Sequence, residues 1–169
     1  MVSIDIAAVI LRLALGWTMF AHGYNHVWGG GKLPGTARWF GSIGFRHSQF
    51  QALMASVTEL AVGPMLVLGL LTPLACAGAL GVMLVALIAN HLKNGFFIFR
   101  PGEGYEYVLM VACVSIALGA LGGGRVSLDN AIGFDVDGWG GLALTALAGG
   151  GGAAAVLLSS WRPERTKTG

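Results

Sequence analysis

Long apolar segments dominate this sequence and restrict what it can fold into. A helix needs about 20 mostly apolar residues to cross the hydrocarbon core of a bilayer, which is about 30 Å thick. Five segments approach that length, at residues 6–28, 50–71, 74–92, 105–121 and 139–161. Only 11% of the 169 residues are charged, against about 25% in soluble domains. The sequence therefore predicts an all-α fold, a membrane helix bundle of four core transmembrane helices with a fifth C-terminal span.

The fifth apolar segment is the least typical helix of the five. Its centre carries four consecutive glycines, Gly149 to Gly152, and each costs about 1 kcal/mol relative to alanine in a helix interior. Trp139 and Trp161 flank the segment, as expected for tryptophans at the two membrane–water interfaces. We therefore divide the chain into a four-helix bundle (residues 1–130), a linker with the fifth helix (131–161) and a basic cytoplasmic tail (162–169).

The connections between the spans differ in charge. Only Thr72 and Pro73 join the second span to the third, so these helices are antiparallel neighbours and the sidedness of the other connections follows. One membrane face, the basic face, receives Lys32, Arg38, Arg46, Lys93, Arg100, Arg162, Arg165 and Lys167. The other receives Arg125, Asp5, Asp129, Asp135 and Asp137. We expect a plasma-membrane protein, and the positive-inside rule predicts that its basic face is cytoplasmic and its N-terminus outside. The C-terminus is cytoplasmic if the fifth helix crosses the membrane. If it does not, the basic tail lies on the other side and the difference in charge between the two faces is smaller.

Three ionisable residues interrupt the apolar segments. Arg12 lies in the first span, Glu59 lies near the middle of the second, and Glu106 opens the fourth. A charge at the bilayer centre costs at least about 2.5–3.5 kcal/mol, so such residues are functional candidates. Arg12 and Glu59 lie at similar heights, within about one side-chain length, given a rise of about 1.5 Å per residue. We expect an Arg12–Glu59 ion pair, which either belongs to a site or only locks the first helix against the second.

Histidines gather near the basic face. His22 and His26 are four residues apart and share one face of the first helix, while Asn90 and His91 end the third span. With Glu106 they suggest a polar pocket in the cytoplasmic half of the bundle. The alternative is that these are interfacial histidines that hydrogen-bond to water, to a neighbouring side chain or to the backbone.

The absence of several binding motifs restricts the kinds of ligand that such a pocket is expected to bind. The sequence has no Cys-x-x-Cys, no His-Glu-x-x-His and no cluster of thiolates, so no metal or haem is predicted. It also has no phosphate-binding glycine loop or dinucleotide fingerprint, and we expect no nucleic-acid partner. Residues 29–49 are long enough to cover the pocket, and Trp39, Phe40 and Phe45 within them either rest on the membrane or cap a ligand.

An ordered set of short motifs runs through residues 6–129. It comprises Arg12, Gly16, His22 and Gly23, then Glu59, Gly63, Leu68, Gly69, Leu70 and Thr72, then His91, Gly95, Phe96, Gly104, Tyr105 and Glu106, and finally Ser127, Leu128 and Asp129. This set resembles the DoxX family of small bacterial membrane proteins. The chain departs from the family pattern in two ways, because the family usually has a lysine where this chain has His26 and is typically a four-helix protein.

The resemblance implies a four-helix bundle and a link to oxidoreductase chemistry. The family takes its name from a subunit of an archaeal thiosulfate:quinone oxidoreductase. Mycobacterial members are associated with superoxide dismutase and a thiosulfate sulfurtransferase in a membrane complex linked to oxidative stress. Many other members have no assigned activity, so the resemblance alone implies no particular reaction.

Our leading hypothesis is a membrane subunit of a redox system that binds a quinone, or a similarly amphipathic ligand, among the first four helices. Glu59 and Glu106 would carry protons, and the ligand would contact Arg12, His22, His26, Asn90, His91 and Tyr105. With no flavin, haem or iron–sulfur motif, an oxidoreductase subunit of this kind needs a soluble partner to bring electrons. The alternative is a non-catalytic anchor whose basic face and tail recruit soluble redox or sulfur-metabolism enzymes. A proton-coupled transporter is a third hypothesis, disfavoured because no internal repeat is visible.

Overall fold

The computed structural model describes residues 2–134 and 136–163, and these residues form an all-helical bundle. The α-helices are α1 (Val2–Trp28), α2 (Lys32–Ser42), α3 (Ser48–Leu68), α4 (Thr72–Ala86), α5 (Glu106–Leu121), α6 (Leu128–Ile132) and α7 (Gly138–Ser160). A π-helical turn (Leu87–His91) and a 3-10 turn (Leu92–Asn94) extend α4. Asp135 and residues 164–169 lie outside the described residues, so the predicted roles of Arg165 and Lys167 in the basic tail do too.

The long helices confirm the predicted membrane bundle. Among the described residues, α1, α3, α7 and α4 with its extension to Asn94 are each long and apolar enough to cross a membrane. The predicted fifth helix is the 23-residue α7, continuous through its glycine tract. The fourth predicted span is α5, whose 16 residues reach only about 24 Å. The chain is therefore a multi-pass integral membrane protein.

Apolar side chains cover the outside of the bundle as well as its centre. Leu15, Met19 and Leu66 are buried in the core. Trp17 on α1 and Leu147 on α7 are 70% and 75% exposed, a pattern that water would disfavour and hydrocarbon would not. These outer surfaces contact the lipid bilayer.

Glycines allow α1 and α3 to pack closely. A Cβ added to Gly16 would lie 2.7 Å from the carbonyl oxygen of Gly63, and one added to Gly23 would lie 2.9 Å from the backbone nitrogen of Leu60. Because only glycine avoids these clashes, the two helix backbones approach far more closely than larger residues would permit. This contact brings the histidine end of α1 beside the middle of α3.

Helix α4 is the central element of the other half of the bundle. It packs against α3, α5 and α7. Thr145 of α7 is fully buried, and its hydroxyl donates a hydrogen bond of 3.0 Å to the carbonyl of Pro73. This bond joins α7 to the start of α4, towards the membrane face opposite the basic face, which we call the acidic face. The other ends of the helices frame a cavity.

Candidate functional site

A cavity of about 510 Å³ lies among α1, α2, α3, α4 with its π-helical turn, α5 and α7. This volume falls in the range of about 300–1,000 Å³ that is typical of small-molecule sites. Its polar lining residues are His22, His26, Gln51, Thr58, Glu59, Asn90, His91, Glu103 and Tyr107. In contrast, α7 contributes only apolar residues to the lining: Ala148, Gly149, Gly152, Ala153 and Val156. The cavity therefore has a polar wall and, formed by α7, an apolar one.

Glu59 and His26 make the central polar contact of the cavity. The Oε2 atom of Glu59 lies 3.0 Å from Nδ1 of His26, and the two side chains are 2% and 18% exposed. Neither atom has another partner within the described residues. The close approach at Gly23 permits this contact, because a Cβ there would lie only 3.0 Å from Cβ of Glu59. A buried carboxylate is thus held beside an imidazole whose N–H can donate a hydrogen bond to it.

His22 is oriented by its own helix and by α5. Its Nδ1–H donates to the carbonyl of Thr18 at 2.9 Å, the expected direction because a carbonyl oxygen only accepts. The ring also stacks on Tyr107, with centroids 5.7 Å apart and planes 20° apart. With the proton on Nδ1, the neutral ring has a lone pair on Nε2, and this nitrogen makes no hydrogen bond within the described residues.

His91, like His22, is oriented by a hydrogen bond from its Nδ1 atom to a backbone carbonyl. The π-helical turn Leu87–His91 carries it into the cavity lining, and such turns are frequent at functional sites. Its Nδ1–H donates to the carbonyl of Glu103 at 2.9 Å. His91 is 9% exposed, and its Nε2 also has no hydrogen-bond partner in the described part of the chain. Two imidazoles therefore line one cavity with Nε2 available to a ligand.

The expected ion pair between Arg12 and Glu59 is wrong. Arg12 is buried, but its Nη2 donates to the carbonyl of Val126 at 2.6 Å, near the acidic face. The guanidinium also lies against Gly69, where any side chain would collide with it. Arg12 does not line the cavity. The reason is that the long arginine side chain extends towards the acidic face while Glu59 meets the nearer His26.

Glu106 and Tyr105 also lie outside the cavity lining. Oε1 of Glu106 accepts a 3.0 Å hydrogen bond from the backbone N–H of Ile98, so this carboxylate closes the loop before α5. The ring of Tyr105 packs edge-on against Phe96, with centroids 5.4 Å apart. Two residues further on, Tyr107 does line the cavity, because a helix rotates by about 100° per residue and so turns neighbouring side chains in different directions.

The structure brings together five of the predicted site residues, namely His22, His26, Glu59, Asn90 and His91. The sequence analysis missed Tyr107, Glu103, Gln51 and Thr58. A tyrosine within the first turn of an apolar span was a usable signal for Tyr107. Glu103 and Gln51 carried no signal, since polar residues near a membrane face are common. Thr58 carried none because a threonine inside a helix can hydrogen-bond to its own backbone.

Residues 29–49, whose aromatic side chains could either rest on the membrane or cap a ligand, contribute to the wall of the cavity. Most of this segment is helical, as α2, and Trp39, Phe40 and Phe45 all line the cavity. The ring of Phe40 meets that of His26 edge-on at 6.3 Å and that of Phe45 at 5.5 Å. The hydroxyl of Thr36 donates to the carbonyl of His26 at 2.9 Å, which ties α2 to the end of α1. The cavity therefore has an aromatic cover at the basic face.

Comparison with known proteins finds one match. A family model described as DoxX matches residues 7–92, from the start of α1 to just beyond the π-helical turn. No curated protein and no solved structure matches the chain. The matched segment contains His22, His26, Glu59 and His91, so it supplies the main ionisable groups of the cavity.

Proposed function

The chain belongs to the DoxX family, and from this membership and the cavity we propose that it is a membrane subunit of a redox system that binds a quinone or a similarly amphipathic molecule. The observation that carries the proposal is the composition of the cavity, with histidine and carboxylate groups on one wall and only apolar residues on another. A quinone has the matching character, since its carbonyl oxygens are polar and its ring faces are apolar.

The two oriented imidazoles suit the oxygen atoms of such a ligand. When protonated, Nε2 of His22 or His91 donates to a quinone carbonyl; when neutral, it accepts from a quinol hydroxyl. Reduction of a quinone consumes two electrons and two protons and yields a quinol. The Glu59–His26 pair is adjacent and supplies groups that store and pass on those protons.

Electrons have to come from another protein. The sequence has no flavin, haem or iron–sulfur motif, so the proposal includes a soluble oxidoreductase as partner. By family resemblance, superoxide dismutase and a sulfurtransferase are candidates. The exposed basic residues at the covered end of the bundle offer a docking surface: Lys32, Arg38, Arg46, Lys93, Arg100 and Arg162. This basic surface also favours the second candidate function, a non-catalytic anchor for soluble enzymes.

Ligand binding separates the two functions. The purified protein in lipid nanodiscs is titrated with a methoxy-substituted benzoquinone carrying a decyl chain. We expect saturable binding that weakens about two- to tenfold in His22→Asn, because a hydrogen bond to the ligand contributes about 0.5–1.5 kcal/mol. His47→Asn is the matched control, since His47 is exposed and does not line the cavity. Absence of saturable binding to the unmodified protein would overturn the proposal and leave the anchor function.

A further inference from the structure

We infer that the ligand has a long apolar tail, and that the tail leaves the cavity sideways, between α3 and α7, into the lipid. The inference rests on the proposed function and adds to it the class of quinone, one with a long alkyl or isoprenoid chain. The route is a groove in the cavity wall, which we call the α3–α7 slot. Six residues define it: Met54 and Thr58 on α3, Gly78 and Gly81 on α4, and Ala148 and Gly152 on α7.

The slot is built by three helices. Because α3 and α7 both pack against α4, they form its two sides, and α4 forms its floor. The floor at Gly78 and Gly81 has no side chains, and both neighbouring helices approach it closely: a Cβ at Gly78 would lie 2.7 Å from Val62 of α3, and one at Gly81 would lie 3.3 Å from the carbonyl oxygen of Gly149 of α7. Five of the six defining residues are apolar, so most of the slot surface suits an alkyl chain.

The slot is open towards the lipid. Met54 is 45% exposed, and Ala148 and Gly152 are also exposed, although all three line the cavity. Gly78 and Gly81 are half-buried in the middle of the long α4 span. A surface at this position in a transmembrane helix faces hydrocarbon, so a chain leaving the cavity here enters the bilayer directly.

The gap between α3 and α7 is closed at the basic face. The backbone N–H of Arg46 donates to the carbonyl of Ser160, and that of Arg162 donates to Gly44, both at 2.8 Å. The Nε2 atom of Gln51 donates to the hydroxyl of Ser160 at 2.9 Å. These bonds tie the loop before α3 to the end of α7, so the apolar opening between the two helices is lateral rather than axial.

The polar wall shows that the slot belongs to a binding site and is not a packing defect. His91 is nine-tenths buried and lines the same cavity, with Nε2 lacking a hydrogen-bond partner among the described residues. Glu59 is 2% exposed, and within the described residues the polar partner of its carboxylate is His26. A molecule whose head satisfies these groups and whose tail fills the slot matches both parts of the cavity.

Gly152 allows a direct test of the tail route. A Cβ at Gly152 meets no atom within 4 Å, so a leucine there fits the helix and projects into the slot. The same holds for Gly151, but Gly151 does not line the cavity. Gly151→Leu is therefore a matched control with the same change one residue away.

The experiment compares two probes in nanodiscs, the decyl benzoquinone and the same ring without the chain. In Gly152→Leu we expect the affinity for the decyl compound to fall at least about tenfold, a loss equivalent to about 1.4 kcal/mol. The affinity for the tail-free ring is expected to stay unchanged, which also shows that the variant is folded. Gly151→Leu is expected to leave both affinities unchanged.

The outcomes separate the slot from the proposed function. If the unmodified protein binds both probes but Gly152→Leu weakens neither, or weakens both equally, the tail route is overturned and quinone binding stands. If the unmodified protein binds neither probe, the proposed function fails and the inference fails with it. A photoreactive group at the end of the decyl chain is expected to label peptides of α3 and α7; labelling confined to α1 and α5 would also overturn the route.

Discussion

At the scale of single residues, the contact between Glu59 and His26 is the least replaceable feature of the cavity. The carboxylate is almost fully buried, and His26 is the group that faces it at 3.0 Å. The family pattern has a lysine at this position, so either residue gives the buried acid a basic partner.

We expect Glu59 and His26 to be energetically coupled. Glu59→Leu and His26→Leu are each expected to lower the free energy of unfolding by about 1–3 kcal/mol, because each leaves a buried polar partner unpaired. The double variant is expected to lose less than the sum of the two by about 1 kcal/mol or more, since it leaves no unpaired group. Equilibrium unfolding of all four proteins in mixed micelles measures the coupling. Losses that add to within about 0.5 kcal/mol would show that the pair does not interact.

These residues also show how far a sequence locates a site. Apolar runs interrupted by His22 and Glu59 give the height of each group in the membrane to within about one helical turn. They do not give rotation about the helix axis, which is why Tyr107 and not Tyr105 lines the cavity. Nor do they give the direction of a long side chain, and Arg12 consequently contacts Val126 instead of Glu59.

At the scale of helices, Asp129 fixes the sharp connection between α3 and α4. Its two carboxylate oxygens accept from the backbone N–H groups of Leu71, at 2.5 Å, and Thr72, at 2.8 Å. Its own N–H donates to the carbonyl of Gly69 at 2.9 Å. The start of α4 thus has its free N–H groups satisfied by a buried anion, which is favourable at the positive end of a helix dipole. This arrangement gives Asp129 a structural role.

Asp129→Asn is expected to destabilise the protein without changing ligand affinity. Asparagine has only one accepting oxygen, so one of two hydrogen bonds to a charged group is lost, at a cost of about 1.5–3 kcal/mol. Asp137→Asn is the matched control, because Asp137 is exposed and its side chain makes no capping bond to α7. Its expected effect is within about 0.5 kcal/mol. Thermal unfolding compares the two variants, and an equal shift in both would contradict the capping role.

The aromatic cover formed by α2 is expected to contribute to ligand binding. Phe40→Ala should weaken binding of the decyl benzoquinone about two- to tenfold, since an aromatic contact contributes about 0.5–1.5 kcal/mol beyond its buried area. Phe97→Ala serves as control, because Phe97 is an exposed aromatic residue outside the cavity lining. Titration in nanodiscs measures both. If the two substitutions have the same effect, α2 is only a membrane-surface element and not a cover.

Long and short elements differed in how well the sequence revealed them. The four long helices α1, α3, α4 and α7 were predictable because segments of about 20 mostly apolar residues leave few alternatives. The helix α2 was predicted only as a connection, since it contains Pro34 and Gly35 and its helicity depends on packing against α1 and α3. The π-helical turn that positions His91 could not be predicted from composition, because it differs from a regular helical turn only by one additional residue.

At the scale of the whole molecule, different contacts hold the helices together at the two ends of the bundle. The acidic face contains the Asp129 cap, the buried Arg12 and an ion pair of 2.8 Å between Arg125 and Asp5. The basic face contains the cavity and its cover, which hydrogen bonds tie to the ends of α1 and α7. The cavity therefore lies at the end away from the Asp129 cap and the Arg125–Asp5 ion pair.

The orientation of this bundle decides which compartment exchanges protons with the cavity. Five crossing helices would place the N-terminus outside and the cavity end in the cytoplasm, as the positive-inside rule predicts. Ser42 at the basic face and Asn130 at the acidic face are both exposed, so each can be replaced by cysteine after Cys76 and Cys113 are changed to alanine. On intact cells, a membrane-impermeant maleimide is expected to label Asn130→Cys and to label Ser42→Cys only after the cells are opened. Labelling of Ser42→Cys on intact cells would reverse the orientation, and the site would then exchange protons with the outside.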